Sequence, residues 1–140
     1  MPLEVSAMVP EMRRLLNNDP SGDTWVKIKP PGFEEEKQRG QLLKKRSYSY
    51  DDDGYLNTDV DCNVRQLWAT ELWLTFEEAN IHVKFVDDEG ETVKEVKMVG
   101  TKDDYTYSEF MEKLNALPTN IIYEWRSAVV DVIPDWRNPF

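Results

Sequence analysis

The chain has 140 residues, a formal charge of −10 and a pI near 4.6. That length suits one ordinary domain, and the 40% hydrophobic content is enough for a core. Nucleic-acid binding rests on a basic face, so the acidity argues against direct DNA or RNA contact and against adhesion to an anionic membrane.

Residues 1–24 read as a leader or a short docked helix. Pro10 suits the first position of a helix through Leu16, with Met8, Met12, Leu15 and Leu16 apolar. The run 17–23 (NNDPSGD) is dense in turn formers. A single domain is expected over 25–140. Trp25 to Lys29 alternates and predicts a short strand, stopped by Pro30-Pro31-Gly32. A helix follows over 33–46. Its acidic start (Glu34, Glu35, Glu36) and basic end (Lys44, Lys45, Arg46) match the helix dipole, which explains the densest basic cluster without a phosphate ligand. Gly40 inside it suggests a bend or a close approach.

Residues 47–61 read as a polar linker. The strongest helical period lies over 61–80, where Val64, Leu67, Trp68, Leu72, Phe76 and Ala79 fall at three- and four-residue steps. Ile81 to Val86 and Thr92 to Val99 alternate around Asp87-Asp88-Glu89-Gly90, a β-hairpin pattern. Thr106 with Glu109 three residues on signals a capping box for a helix over 107–116. Leu117 to Asn120 breaks it, a second helix runs to Val132, and an extended aromatic tail follows Pro134. The order predicts an α+β fold: a helix-dominated single domain with a β-hairpin and one short additional strand.

Few of these residues suit catalysis. Cys62 is the only cysteine and His82 the only histidine, whereas hydrolytic, redox and zinc chemistry draws on both types. Cys62 stands at a predicted helix start, where a thiol pKa falls, but no spacing signature accompanies it. His82 falls on the polar face of its strand. A pair of positioned acids would suffice for glycoside chemistry, yet nothing singles out two of the 27 Asp and Glu. Asp51, Asp53, Asn57 and Asp59 are the oxygen donors nearest to a calcium pattern. With Gly54 at the loop's sixth position, Ser49 and Val60 stand where anchoring carboxylates belong, so the run reads as a solvated turn. Pro30-Pro31-Gly32 lacks the spacing of a phosphate loop. No cofactor or metal is expected.

A lone cysteine cannot form an intramolecular disulfide, and MPLEVSAMVPEMRR lacks the basic-then-apolar order of a signal peptide. No apolar stretch approaches the ~18–20 residues of a membrane span. The expected compartment is a reducing cytoplasm. Aromatic residues are plentiful, and interface hot spots favour Trp, Tyr and Arg. Trp73, Trp125, Trp136 and Phe140 are therefore the candidate partner-binding residues, the competing reading being that Trp136 folds back on the last helix.

Three stretches carry a family resemblance: Trp25 to Pro30 with the helix 33–46, Asn63 to Asn80 (NVRQLWATELWLTFEEAN), and Phe110 to Trp136 with its LNALP break. They resemble small tail-assembly proteins of long-tailed bacteriophages, tail assembly chaperones in particular. The resemblance implies a non-enzymatic, mostly helical protein. It would bind tail-tube or tape-measure subunits in the host cytoplasm, or hold a structural place in the virion, and self-association is compatible with it. The alternative is an acidic inhibitor or nucleic-acid mimic in a partner's basic groove, which predicts carboxylates aligned on one face. A carboxylate-based enzyme is the third reading and predicts a cleft with paired, pKa-shifted acids.

Overall fold

The computed structural model describes residues 2–5, 8–43, 46–50, 56–60 and 64–137, and for 43, 46–50 and 56–60 the backbone alone. Among the described residues, six strands and four α-helices follow in the order β1 (Glu11–Arg14), β2 (Trp25–Ile28), α1 (Phe33–Leu43), β3 (Arg46–Tyr50), β4 (Leu56–Val60), α2 (Val64–Thr75), β5 (Phe76–Val86), β6 (Thr92–Thr101), α3 (Tyr107–Ala116) and α4 (Thr119–Val132). One-turn 3₁₀ segments lie at Lys102–Asp104 and Pro134–Trp136. The fold is a single α+β domain. Its main sheet is antiparallel, in the order β1-β2-β5-β6, and β3 with β4 forms a separate antiparallel pair.

One sheet face is apolar. Val26 lies opposite Ala79, Ile28 opposite Phe76, and Ile81 opposite Met98, all buried. The helices cover this face. Phe76, Phe110 and Trp125 meet at its centre with ring centroids 5.0–6.1 Å apart in tilted and edge-on geometries, the arrangements aromatic quadrupoles favour. The opposite face carries polar cross-strand pairs such as His82 with Glu95, 2.9 Å apart.

The expected hairpin forms, with longer strands. The helix over 107–116 also forms, as does the second helix to Val132, which starts at Thr119 inside the expected break. Thr106 caps the former: its hydroxyl accepts from Glu109 N–H at 3.2 Å while the Glu109 carboxylate receives Thr106 N–H. The turn 87–90 places Gly90 at φ +81°, left-handed backbone that costs glycine little. Gly100 has φ +133°, and a Cβ there would come 2.6 Å from Asp104 Oδ2.

Four expectations are corrected. Residues 11–14 form a strand, because they complete an antiparallel ladder on β2 that Leu15 N–H extends to Thr24 C=O at 2.9 Å. Of the apolar residues predicted to line a helix there, only Leu15 is buried. Residues 46–50 and 56–60 pair as β3 and β4 where a linker was expected. That pairing places Arg46 in a strand, so α1 ends at Leu43, and Lys44 and Lys45 lie outside the described residues. Gly40 serves no close approach, since a Cβ there would meet nothing within 4 Å.

The fourth correction concerns 61–80. The helix stops at Thr75, and Phe76 opens the central strand. Its last carbonyls find donors outside the helix: Lys29 N–H reaches Thr75 C=O at 2.7 Å and Lys102 Nζ reaches Trp73 C=O at 3.0 Å. The register shifts here, Lys27 opposing Glu78 and Ile28 opposing Phe76, so Glu77 is an extra residue. This bulge spaces the buried Phe76 and Ala79 three apart, which imitates helical periodicity.

Candidate functional site

Within α2, Glu71 is a lone charge among Leu67, Trp68, Leu72, Trp73 and Leu74. The helix turns it inward and the residue is fully buried. Arg39 of α1 places Nε 2.8 Å from Glu71 Oε2, and Arg126 of α4 places Nε 3.6 Å from Oε1. Burial pushes the Glu71 carboxyl above its usual range, opposed by the Arg39 hydrogen bond and by the charges of Arg39 and Arg126. The longer contact exceeds hydrogen-bond reach, so Glu71 Oε1 and Arg126 Nε lack hydrogen-bond partners among the described residues.

Both guanidiniums also face tryptophans. Arg39 lies 4.8 Å from the centroid of Trp136, and Arg126 lies 5.0 Å from that of Trp68. Arg126 Nη2 donates to Trp136 C=O at 2.8 Å, and Trp136 Nε1 donates to both Glu36 carboxylate oxygens at 3.1 and 3.2 Å. The array ties α1, α2, α4 and the turn 134–136 together. The Glu71 carboxylate is sealed from solvent within this array.

A cavity of 330 Å³ lies beside it, between α2 and the α3–α4 corner. Trp68, Leu114, Leu117, Ile122 and Tyr123 line it, with Arg65 at the rim. Trp68 and Tyr123 meet edge-on at 5.6 Å. Arg65 is exposed and makes no ion pair among the described residues. Asn115 and Thr119 also line the concavity, which mixes apolar walls with polar groups. A second hollow, of 270 Å³, is polar and contains Lys29, Glu35, Glu77 and Lys102. Burial pushes the Lys102 ammonium down; Glu35 opposes this, Lys29 adds to it and Glu77 opposes it. Lys102 also sits 4.6 Å from the Trp73 ring centroid.

The candidate partner-binding residues do not form one surface. Trp125 and Trp136 are each 1% exposed: one packs against Phe76 and Phe110, the other against Arg39. Trp73 is half-buried against Phe110 and Tyr107. Phe140 lies outside the described residues, as do Asp51, Asp53 and Cys62. Asn57 and Asp59 are on β4, opposite Ser49 and Ser47. His82 is on β5 beside Glu95. Among the described residues, no group of three or more His, Cys, Asp or Glu is placed to hold a metal ion.

The sequence reading missed Glu71 and its arginines, although an acid isolated within an apolar helix was the available signal. It missed the Trp68–Tyr123 cavity because those rings are 55 residues apart in sequence (68 to 123) and meet only through helix packing. No family model, curated protein or solved structure matches this chain. No described helix is long and apolar enough to cross a membrane.

Proposed function

We propose that the protein is a non-enzymatic protein-binding protein of bacteriophage tail assembly, acting on tail-tube or tape-measure subunits before or during their incorporation. The observation that carries the binding role is a run of exposed apolar side chains ahead of and along the free edge of β1. Leu3, Val5, Met8, Val9, Met12 and Leu16 are between 45% and 89% exposed. Among the described residues β1 pairs with β2 alone, which leaves its outer backbone groups without a strand partner there. Exposed apolar runs of this kind mark interaction surfaces. The placement in tail assembly draws on the resemblance of the three stretches, of which 110–136 keeps its helix–break–helix order.

The inhibitor or mimic reading is less well supported. Carboxylates on the exposed sheet face alternate with cations: Lys27 is 3.9 Å from Glu78, and His82 and Glu95 have Lys84 and Lys97 as neighbours in the ladder. A phosphate-like array would need acids without such interleaving.

Co-expression with tube and tape-measure subunits from the same genome tests the proposal. The expected result is co-purification and more soluble subunit, both reduced by Met12→Asp with Leu16→Asp. Equal subunit solubility with and without the chain, and no co-purification, would sink it.

A further inference from the structure

Among the described residues the outer edge of β1 has no strand partner. Leu15 N–H donates to Thr24 C=O, on the β2 side. Backbone groups alternate sides along an antiparallel strand, so those of Glu11 and Arg13 also turn toward β2, while those of Met12 and Arg14 turn to the outer edge. Side chains alternate between the two faces. Glu11 and Arg13 lie opposite the buried Ile28 and Val26, on the face that the helices cover. There Arg13 reaches Glu11 at 2.7 Å and Asp131 of α4 at 3.4 Å. Met12 lies opposite Lys27 on the other face and is exposed.

We propose that β1 pairs antiparallel with β1 of a second copy, centred on Met12, so that two four-stranded sheets join across a two-fold axis into one of eight strands. Directly opposed side chains in an antiparallel pair share a face, so a strand that meets its own copy is centred on one residue, which then faces itself. Centring on Glu11 opposes two carboxylates, and centring on Arg13 or Arg14 opposes two guanidiniums. Like charges directly opposite each other destabilise a pair. Centring on Met12 opposes two methionines and sets Glu11 against Arg13 of the second copy on both sides. Continued past the strand ends, the same register brings exposed Met8 toward exposed Leu16 of the second copy. Pro10, opposite Arg14 of the second copy, has no N–H to donate, so the ladder ends there. This match of charge to charge and apolar to apolar selects a second copy as the occupant. The contact is isologous and closes as a dimer. It rests on the protein-binding reading of this edge and names one partner for it.

Sedimentation equilibrium of the full chain is the test, and a reversible monomer–dimer equilibrium is expected. Because residue 12 faces itself, Met12→Lys alone and Met12→Glu alone should each weaken dimerisation about ten-fold or more, with unchanged thermal melts. An equimolar mixture of the two variants should recover it. Met12→Cys in a Cys62→Ser chain sets the two Cα atoms about 5.5 Å apart, within the span of a disulfide, so mild oxidation should link two copies. Val93→Cys, exposed on the sheet's other outer strand, β6, should not link them. A monomer at all concentrations overturns the proposal, as does a mixture that recovers nothing. Linking through Val93→Cys but not Met12→Cys also overturns it and moves the contact to β6. If the dimer behaves as described while no tail subunit is captured, the tail-assembly reading falls and this one stands. If the chain stays monomeric yet captures a subunit, self-pairing is wrong and the edge serves that subunit.

Discussion

Arg39 Nε lies 2.8 Å from Glu71 Oε2, with the two side chains only 9% and 1% exposed. A pair removed from water this completely depends on keeping both partners. Its attraction must offset a large desolvation cost, and either charge left alone would bear that cost unaided. Glu71→Ala leaves two guanidiniums without their carboxylate and should destabilise the fold by about 3–5 kcal/mol in urea unfolding. Arg39→Met, Glu71→Leu and Arg126→Met together should recover most of that loss. A triple variant as unstable as Glu71→Ala would show that charge pairing is not what this site contributes.

Trp136 closes the same array from the C-terminal side. Its ring meets Arg39, its indole N–H reaches Glu36, and its carbonyl accepts from Arg126. Trp136→Ala should cost about 3–5 kcal/mol, the range for truncating a buried large aromatic. Tryptophan fluorescence and chemical denaturation measure it. A loss below about 1 kcal/mol would mean that the turn 134–136 is peripheral to stability.

Lys102 carries a pH signature. Burial lowers its folded pKa from 10.5, so between the folded value and 10.5 the unfolded chain holds more protons. Stability should therefore rise with pH through that window as the cost of burying the charge is relieved. As the pH rises toward 10.5, the wild type should gain on Lys102→Met. A constant difference between the two would contradict the assignment. Lys102→Met should also loosen the end of α2, where Lys102 bonds Trp73 C=O.

The capping box at α3 can be tested singly. Thr106→Ala removes the hydroxyl that accepts from Glu109 N–H and should cost about 1 kcal/mol. Thr106→Asp should retain most of the stability, because a carboxylate accepts the same bond and favours the helix N-terminus. Thermal melts of the three chains would decide it, and equal losses in both variants would argue against the cap.

The elements that could be read from sequence are those whose partners are local. The Thr106–Glu109 box, the break at Leu117-Pro118 and the 87–90 turn depend on residues within a few positions. Elsewhere the local pattern had two solutions. Met8, Met12, Leu15 and Leu16 have helical spacing, yet residues 11–14 form a strand because β2 offers an antiparallel ladder. Phe76 and Ala79 have helical spacing because Glu77 bulges out of register.

Composition, the isolated Cys62 and His82, the caps and the hairpin alternation established on their own an acidic α+β chain with sparse catalytic inventory. Only tertiary packing decided where α2 ends, which tryptophans are hidden, and that Glu71 joins Arg39 to Arg126. Only packing brought Trp68 and Tyr123 together beside Arg65. The reason is one of range: caps and turns are satisfied within a few residues. A buried charge, a bulged register or a cavity between helices exists only once distant segments exclude water together.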